Sequence, residues 1–284
     1  PMLIFFAVVG SIYAGLATAT EPAAHGLLAA LAPATVVAFG GYPSIPPVLA
    51  ARTLARARRP RVVLHEQNAV LGRANRLLAR FADLLALSAA ATARLPGGVR
   101  AETLGNPVRP EIAALAGAGY APPVPEGPVE LLVLGGSLGA RALADLVPGA
   151  VAALPEALRA RLRLTMQCRA EDIGRVRATL DGSGVSARLA PFFAEIAALY
   201  ARAHLVIARA GASTVAELAC AGRPSLLVPL PHAIDDHQTA NARVLAGAGA
   251  AELHAQAALT PSGLADRLAR LLAEPARLAR MAEA

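Results

Sequence analysis

Short apolar runs alternate with alanine-rich helical stretches along most of this chain, and that alternation admits few folds. Residues 35–39, 61–64, 84–87, 129–134, 162–167, 205–208 and 225–228 read as strands. The stretches 48–58, 72–80, 140–154, 171–180, 196–203 and 213–221 between them read as helices. Strands separated by helices pair in parallel through right-handed crossovers, so the predicted class is α/β. A Pro/Gly-rich section at 117–128 breaks the rhythm and reads as a linker. The expected organisation is an N-terminal domain over 1–116 and a second domain over 129–284. Two such halves facing each other predict an inter-domain cleft, because open parallel sheets bind ligands beyond the carboxyl ends of their strands.

Composition narrows the partners. With 55% hydrophobic and 17% charged residues, the chain carries enough apolar surface for substantial cores. The net charge of +7 favours anionic ligands or an anionic membrane face. Nucleic acid is not expected, because the arginines are scattered and aromatic residues are only 4% of the chain. Cys168 and Cys220 have no metal-ligand spacing, and His232, Asp235, Asp236 and His237 fix no ligand geometry, so no metal is expected. Arg52, Arg56, Arg58, Arg59 and Arg61 read as a solvated face. The uncharged stretch 2–19, diluted by Gly10, Ser11, Gly15 and Thr18, reads as a buried or membrane-facing helix rather than a span. The chain opens without Met inside that stretch and stops in a charged helical one, which reads as a cut at both ends.

Two glycine turns carry the chemistry. Gly135-Gly136-Ser137-Leu138-Gly139 and Arg209-Ala210-Gly211-Ala212-Ser213-Thr214 each follow a predicted strand and open a predicted helix. Such a turn points unpaired amides and the positive helix end at one place, a natural seat for a diphosphate. A dinucleotide reading of the first turn wants an acid at the end of the next strand, and Met166-Gln167-Cys168-Arg169 supplies none. Glu217 has two readings, a carboxylate for a ribose diol or a capping-box acid of the helix start. Gln238 and Asn241 follow a proline-broken loop rich in groups for sugar hydroxyls. In the first half, His65-Glu66-Gln67-Asn68 lies at a strand's carboxyl end, and Arg109 stands beside a rigid Asn106-Pro107 turn.

Taken in order, Gly40-Gly41-Tyr42-Pro43-Ser44, His65-Glu66-Gln67-Asn68, Gly105-Asn106-Pro107-Val108-Arg109, the Gly135–Gly139 turn, Arg209 through Glu217, and Gln238 with Asn241-Ala242 resemble the MurG family. These peptidoglycan glycosyltransferases move N-acetylglucosamine (GlcNAc) from UDP-GlcNAc to the C4 hydroxyl of N-acetylmuramate (MurNAc) in lipid I, undecaprenyl-pyrophosphoryl-MurNAc-pentapeptide, and so make lipid II. The resemblance implies a GT-B fold of two Rossmann-like parallel-sheet domains with an inter-domain cleft, no cofactor, and a peripheral place on the cytoplasmic face of the bacterial inner membrane. It places Ser137 and Arg109 near the donor phosphates and Phe193 beside the uracil. Ala212, Ser213, Thr214, Val215 and Ala216 would line the nucleotide pocket, with Glu217 on the ribose. Gln238 and Asn68 would meet sugar hydroxyls, and His65 and Glu66, the catalytic candidates within this chain, would face the acceptor. His204 stands where the family has Asp. The family pattern opens with a strand and a Gly-rich loop ending in the favoured base, a His. This chain begins after it, so an intact donor half and an incomplete catalytic centre are expected. The competing expectations are a UDP-GlcNAc 2-epimerase with the same donor cradle, and a fragment that binds UDP-sugar without turnover.

Overall fold

The computed structural model describes residues 21–136 and 141–284, so the stretch 2–19 and Ser137 lie outside the described residues. The chain forms two compact units, Pro1–Asn106 and Pro107–Ala284.

In the first unit, β1 (Thr35–Ala38), β2 (Arg61–Glu66), β3 (Leu84–Leu87) and β4 (Ala101–Thr103) pair in parallel in that order. Helices α1 (Glu21–Leu31), α2 (Ile45–Thr53) and α3 (Arg73–Leu78) connect or flank them. Val62 and Leu64 of β2 and Leu85 and Leu87 of β3 pack with Leu28 of α1, Val48 of α2 and Leu78 of α3. The carboxyl end of β2 carries His65 and Glu66, which are buried there. Arg56, Arg58, Arg59 and Arg61 are exposed, as predicted, whereas Arg52 is half-buried and donates to the Phe81 carbonyl and to Asp83.

The second unit begins with α4 (Pro110–Ala113) and continues through β5 (Val129–Leu134), α5 (Arg141–Ala152), α6 (Glu156–Arg159), β6 (Leu162–Gln167), α7 (Ala170–Leu180), β7 (Ser186–Ala190) and α8 (Ile196–Arg202). There follow β8 (Leu205–Ala208), α9 (Ala212–Ala221), β9 (Ser225–Leu227), α10 (His237–Ala248), β10 (Ala251–Leu253), α11 (Pro261–Leu272) and α12 (Pro275–Glu283). The sheet is parallel, in the order β10-β9-β8-β5-β6-β7. Its central strands are buried on both faces, which is why they read as continuous apolar runs. Leu131 and Val133 face a core shared with α5, α7, α11 and α12, and Leu132 and Leu134 face one shared with α4, α8, α9 and α10.

The predicted linker requires a correction. Residues 117–128 belong to the second unit, and the compact units divide earlier, after Asn106. Ile112 is fully buried in the second unit's core. Beyond it, the Tyr120 hydroxyl donates to the His204 carbonyl at 2.8 Å, and Arg223 donates to the Gly119 carbonyl at 3.1 Å. Arg161 donates to the carbonyls of Gly127 and Val124. The prolines and glycines that suggested a free tether therefore form a strap whose carbonyls are taken by arginines.

Candidate functional site

In the second sheet the chain leaves β5 toward β6 and β7, then returns across it to β8, β9 and β10. The loops after β5 and β8 thus diverge, and such a switch point is where open α/β sheets hold ligands. After β5 the turn begins with Gly136 at φ +81°, a conformation that favours glycine. After β8, Arg209-Ala210-Gly211 turns directly into α9, with Gly211 as N-cap, a residue with no side chain to fold back on the helix start. The first-turn residues are Ala212, Ser213 and Thr214, so the helix start keeps the positive end suited to an anion.

Buried side chains fix this loop. The guanidinium of Arg209, 7% exposed, donates through Nη1 to the carbonyls of Val228 and Pro229, both at 3.0 Å. Its Nη2 donates to Gln256 Oε1 at 2.7 Å, and burial pushes its pKa down. Buried Asn241 donates from Nδ2 to the Ala210 carbonyl at 3.1 Å. Gln238 Oε1 accepts from the Leu230 amide at 2.9 Å, which ties the start of α10 to the loop after β9. Phe193 is buried beneath the Arg188 guanidinium, 5.0 Å from the ring centroid, in the turn after β7. Gln167 holds that turn by donating to the Pro191 carbonyl.

Glu217 does not cap α9. It is the sixth residue of the helix, past the position a capping box requires. Its Oε1 accepts from Arg109 Nη2 at 2.8 Å and Nε at 3.3 Å, and its Oε2 accepts from the Tyr200 hydroxyl at 3.2 Å. The carboxylate side chain is 13% exposed and the Arg109 side chain 48% exposed, so the pair lies at the protein surface with the acid tucked beneath the base. Arg109 is therefore brought onto Glu217 of α9.

In the first unit, Glu66 organises the loop after β2. Its Oε1 accepts from the Asn68 amide at 3.0 Å and from Asn68 Nδ2 at 3.2 Å. Its Oε2 accepts from the Gly72 amide at 2.8 Å and from Asn75 Nδ2 at 2.9 Å. The Gly105 carbonyl lies 3.0 Å from His65 Nε2, so that nitrogen carries the proton, and Nδ1 accepts from Gln67 Nε2 at 3.2 Å. Both ring nitrogens of His65 and both oxygens of Glu66 are thus engaged within the fold. Among the described residues no group of three or more His, Cys, Asp or Glu side chains is placed to hold a metal ion. Nor is any helix among them long and apolar enough to cross a membrane.

Residues 130–284 match the glycosyltransferase family 28 C-terminal domain, and residues 16–86 match the corresponding N-terminal domain. A transferase of Granulibacter bethesdensis is 62% identical over 256 residues, covering 90% of this chain and 66% of that protein. One of Acidiphilium cryptum is 57% identical over 271 residues, covering 95% and 72%. Both carry the name UDP-N-acetylglucosamine–N-acetylmuramyl-(pentapeptide) pyrophosphoryl-undecaprenol N-acetylglucosamine transferase. The chain belongs to glycosyltransferase family 28, among the MurG proteins. The crystal structure of Acinetobacter baumannii MurG superposes with a TM-score of 0.77 at 34% identity, over 93% of this chain and 72% of that one. An S. aureus MnaA–UDP co-structure, at 11% identity and a TM-score of 0.63, shows the shared fold alone. The chain thus spans between 66% and 72% of the length of these relatives, and its fold is the GT-B pairing of two parallel-sheet α/β units.

Several residues that shape this MurG-family site were not singled out as site residues from the sequence. Tyr200 reads there as one more apolar helix residue, and Asn75 as a polar helix residue. Arg209 was read only as part of the glycine turn, without its part in fixing the loop. A cation directly after an apolar strand was an available signal for Arg209, since a strand's buried end does not ordinarily tolerate one. No sequence signal marks the Tyr200–Glu217 contact, which joins α8 to α9.

Proposed function

We propose that this chain is the lipid II-forming glycosyltransferase of its organism, moving GlcNAc from UDP-GlcNAc to the C4 hydroxyl of MurNAc in lipid I with inversion at the anomeric carbon. The observation that carries the reading is the glycine-capped start of α9 at the sheet's switch point, with Glu217 held nearby by Arg109 and Tyr200. UDP fits that arrangement: its diphosphate on the first-turn amides, its ribose hydroxyls on Glu217, and its uracil along the backbone at Phe193. The names of the relatives supply the sugar and the acceptor.

In the transfer, a general base takes the proton of the C4 hydroxyl, and the acceptor oxygen bonds to the anomeric carbon as the bond to the diphosphate breaks. Negative charge builds on the departing UDP, where the α9 dipole and the positive charge of Arg109, held by Glu217, stabilise it. Gln238 presents its amide nitrogen to the hexosamine hydroxyls while its oxygen stays on Leu230. In the first unit, Glu66 and His65 hold the loop that carries Asn68, and their role is positioning rather than proton abstraction. The net charge of +7 suits a peripheral seat on the anionic cytoplasmic face of the inner membrane, beside the lipid I acceptor. Incubation with labelled UDP-GlcNAc and lipid I tests the reading: label is expected in a β-linked disaccharide lipid. Formation of UDP-N-acetylmannosamine, or no label in lipid at saturating acceptor, would overturn it.

A further inference from the structure

A carboxylate offers about four acceptor positions, two on each oxygen. In Glu217 the fold uses both oxygens unequally in kind. Oε1 accepts twice from Arg109, from Nη2 at 2.8 Å and Nε at 3.3 Å, and Oε2 accepts once, from the neutral hydroxyl of Tyr200 at 3.2 Å. The acceptor position left is on Oε2, the oxygen that Tyr200 holds, and a ribose hydroxyl is a donor that suits it. Tyr200 comes from α8, is fully buried, and packs in the apolar set that includes Ile112, Leu199 and Leu218. The only polar atom of its side chain is the one that touches Glu217. Burial and the neighbouring carboxylate push the phenol pKa well up, so the hydroxyl remains a donor at any physiological pH.

We propose that Tyr200 is a positioning residue of the donor site: its hydroxyl, with Arg109, locks the rotation of the Glu217 carboxylate so that the open position of Oε2 meets a ribose hydroxyl, and this makes the site selective for ribonucleotides over deoxyribonucleotides. The proposal rests on the reading of Glu217 as the ribose acceptor. A rotationally free carboxylate holds that position toward the ribose only part of the time. The Arg109 contact alone leaves that freedom, because both guanidinium nitrogens converge on the single oxygen Oε1. Tyr200 removes it by pinning Oε2.

The experiment is calorimetric titration of the wild-type protein, Tyr200→Phe and Glu217→Ala with UDP and with 2′,3′-dideoxy-UDP. Phenylalanine fills the same buried volume, and a thermal melt of each variant reports its folding. Tyr200→Phe is expected to weaken UDP about tenfold, the size of one lost charge-assisted bond, while dideoxy-UDP binding stays within about twofold of wild type because that ligand makes no use of the diol. Equal weakening of both ligands would mean that Tyr200 serves only the shape of the pocket, and would overturn the proposal. Unchanged UDP affinity in Tyr200→Phe, with Glu217→Ala weakened, would also overturn it while leaving the ribose reading intact. Unchanged UDP affinity in Glu217→Ala would remove the ribose reading and the proposal together.

Discussion

Replacing Arg209 by methionine removes a group that joins the loops after β8 and β9 to the turn at Gln256–Ala258, while keeping much of the side chain's length. Three acceptors lose their donor: the carbonyls of Val228 and Pro229 and Gln256 Oε1. Hydrogen bonds to a charged group contribute about 1.5–3 kcal/mol each, so the gross loss is on the order of 5–9 kcal/mol. Against it stands relief from burying a guanidinium that has no carboxylate among its hydrogen-bond partners, a penalty of several kcal/mol. The lowered pKa of Arg209, caused by burial, has the same origin. The net expectation is destabilisation of about 2–3 kcal/mol, or a fall in Tm of roughly 5–10 °C for a unit of this size. Because Arg209 directly precedes the turn into α9, UDP affinity is expected to fall about tenfold in the same variant. Arg209→Lys keeps the charge but cannot span three acceptors with one ammonium, so it is expected to recover less than half of either loss. Differential scanning fluorimetry and calorimetric titration with UDP read both quantities. A Tm and a UDP affinity indistinguishable from wild type in Arg209→Met would refute the reasoning.

Other consequences follow from packing and from titration. Glu252 accepts from Arg267 and Arg277, and although burial raises its pKa, its bonds to His254 and Arg267 and the nearby positive charges outweigh this and lower it from 4.5 to about 2. That shift contributes up to ~3 kcal/mol of stability above pH ~4.5, lost as the pH falls from there toward 2. Glu252→Gln is therefore expected to melt at a lower temperature at pH 7, and to show a flatter dependence of Tm on pH in that window than wild type. Ile112→Ala, at a fully buried position just after the boundary of the second unit, is expected to cost about 2–4 kcal/mol. It should also speed proteolysis within residues 117–128, as limited digestion followed by mass spectrometry would read. An unbound tether would give no such change.

How far the sequence reveals this molecule follows burial. β3, β5, β6 and β8 have the bounds read from the sequence, because strands covered on both faces are continuous apolar runs. β4, β7 and β10 escape that reading: Ala-Glu-Thr of β4 is exposed throughout, β7 is mostly exposed, and both lie at sheet edges, as does β10. The strap at 117–128 misleads because proline and glycine report local backbone preference, whereas Arg161 and Arg223, distant in sequence, decide where the strap lies. The same distance hides the chemistry of Glu217. Its spacing from Ser213 and Thr214 suits a cap, and only the fold brings Arg109, 108 residues away, onto it. The glycine turn before α9 is legible because a glycine directly after an apolar run and before an alanine-rich stretch marks a helix start. Roles set by partners from other elements, such as those of Tyr200, Arg209 and Asn75, are not written in any local pattern.

Hydrogen–deuterium exchange at the start of α9 tests the central claim most directly, since the diphosphate is assigned to those amides. With saturating UDP-GlcNAc, the amides of Ser213 and Thr214 are expected to exchange at least about tenfold more slowly, whereas the exposed β4 segment is unchanged. Exchange at Ser213 and Thr214 that is the same with and without bound UDP-GlcNAc would contradict the account.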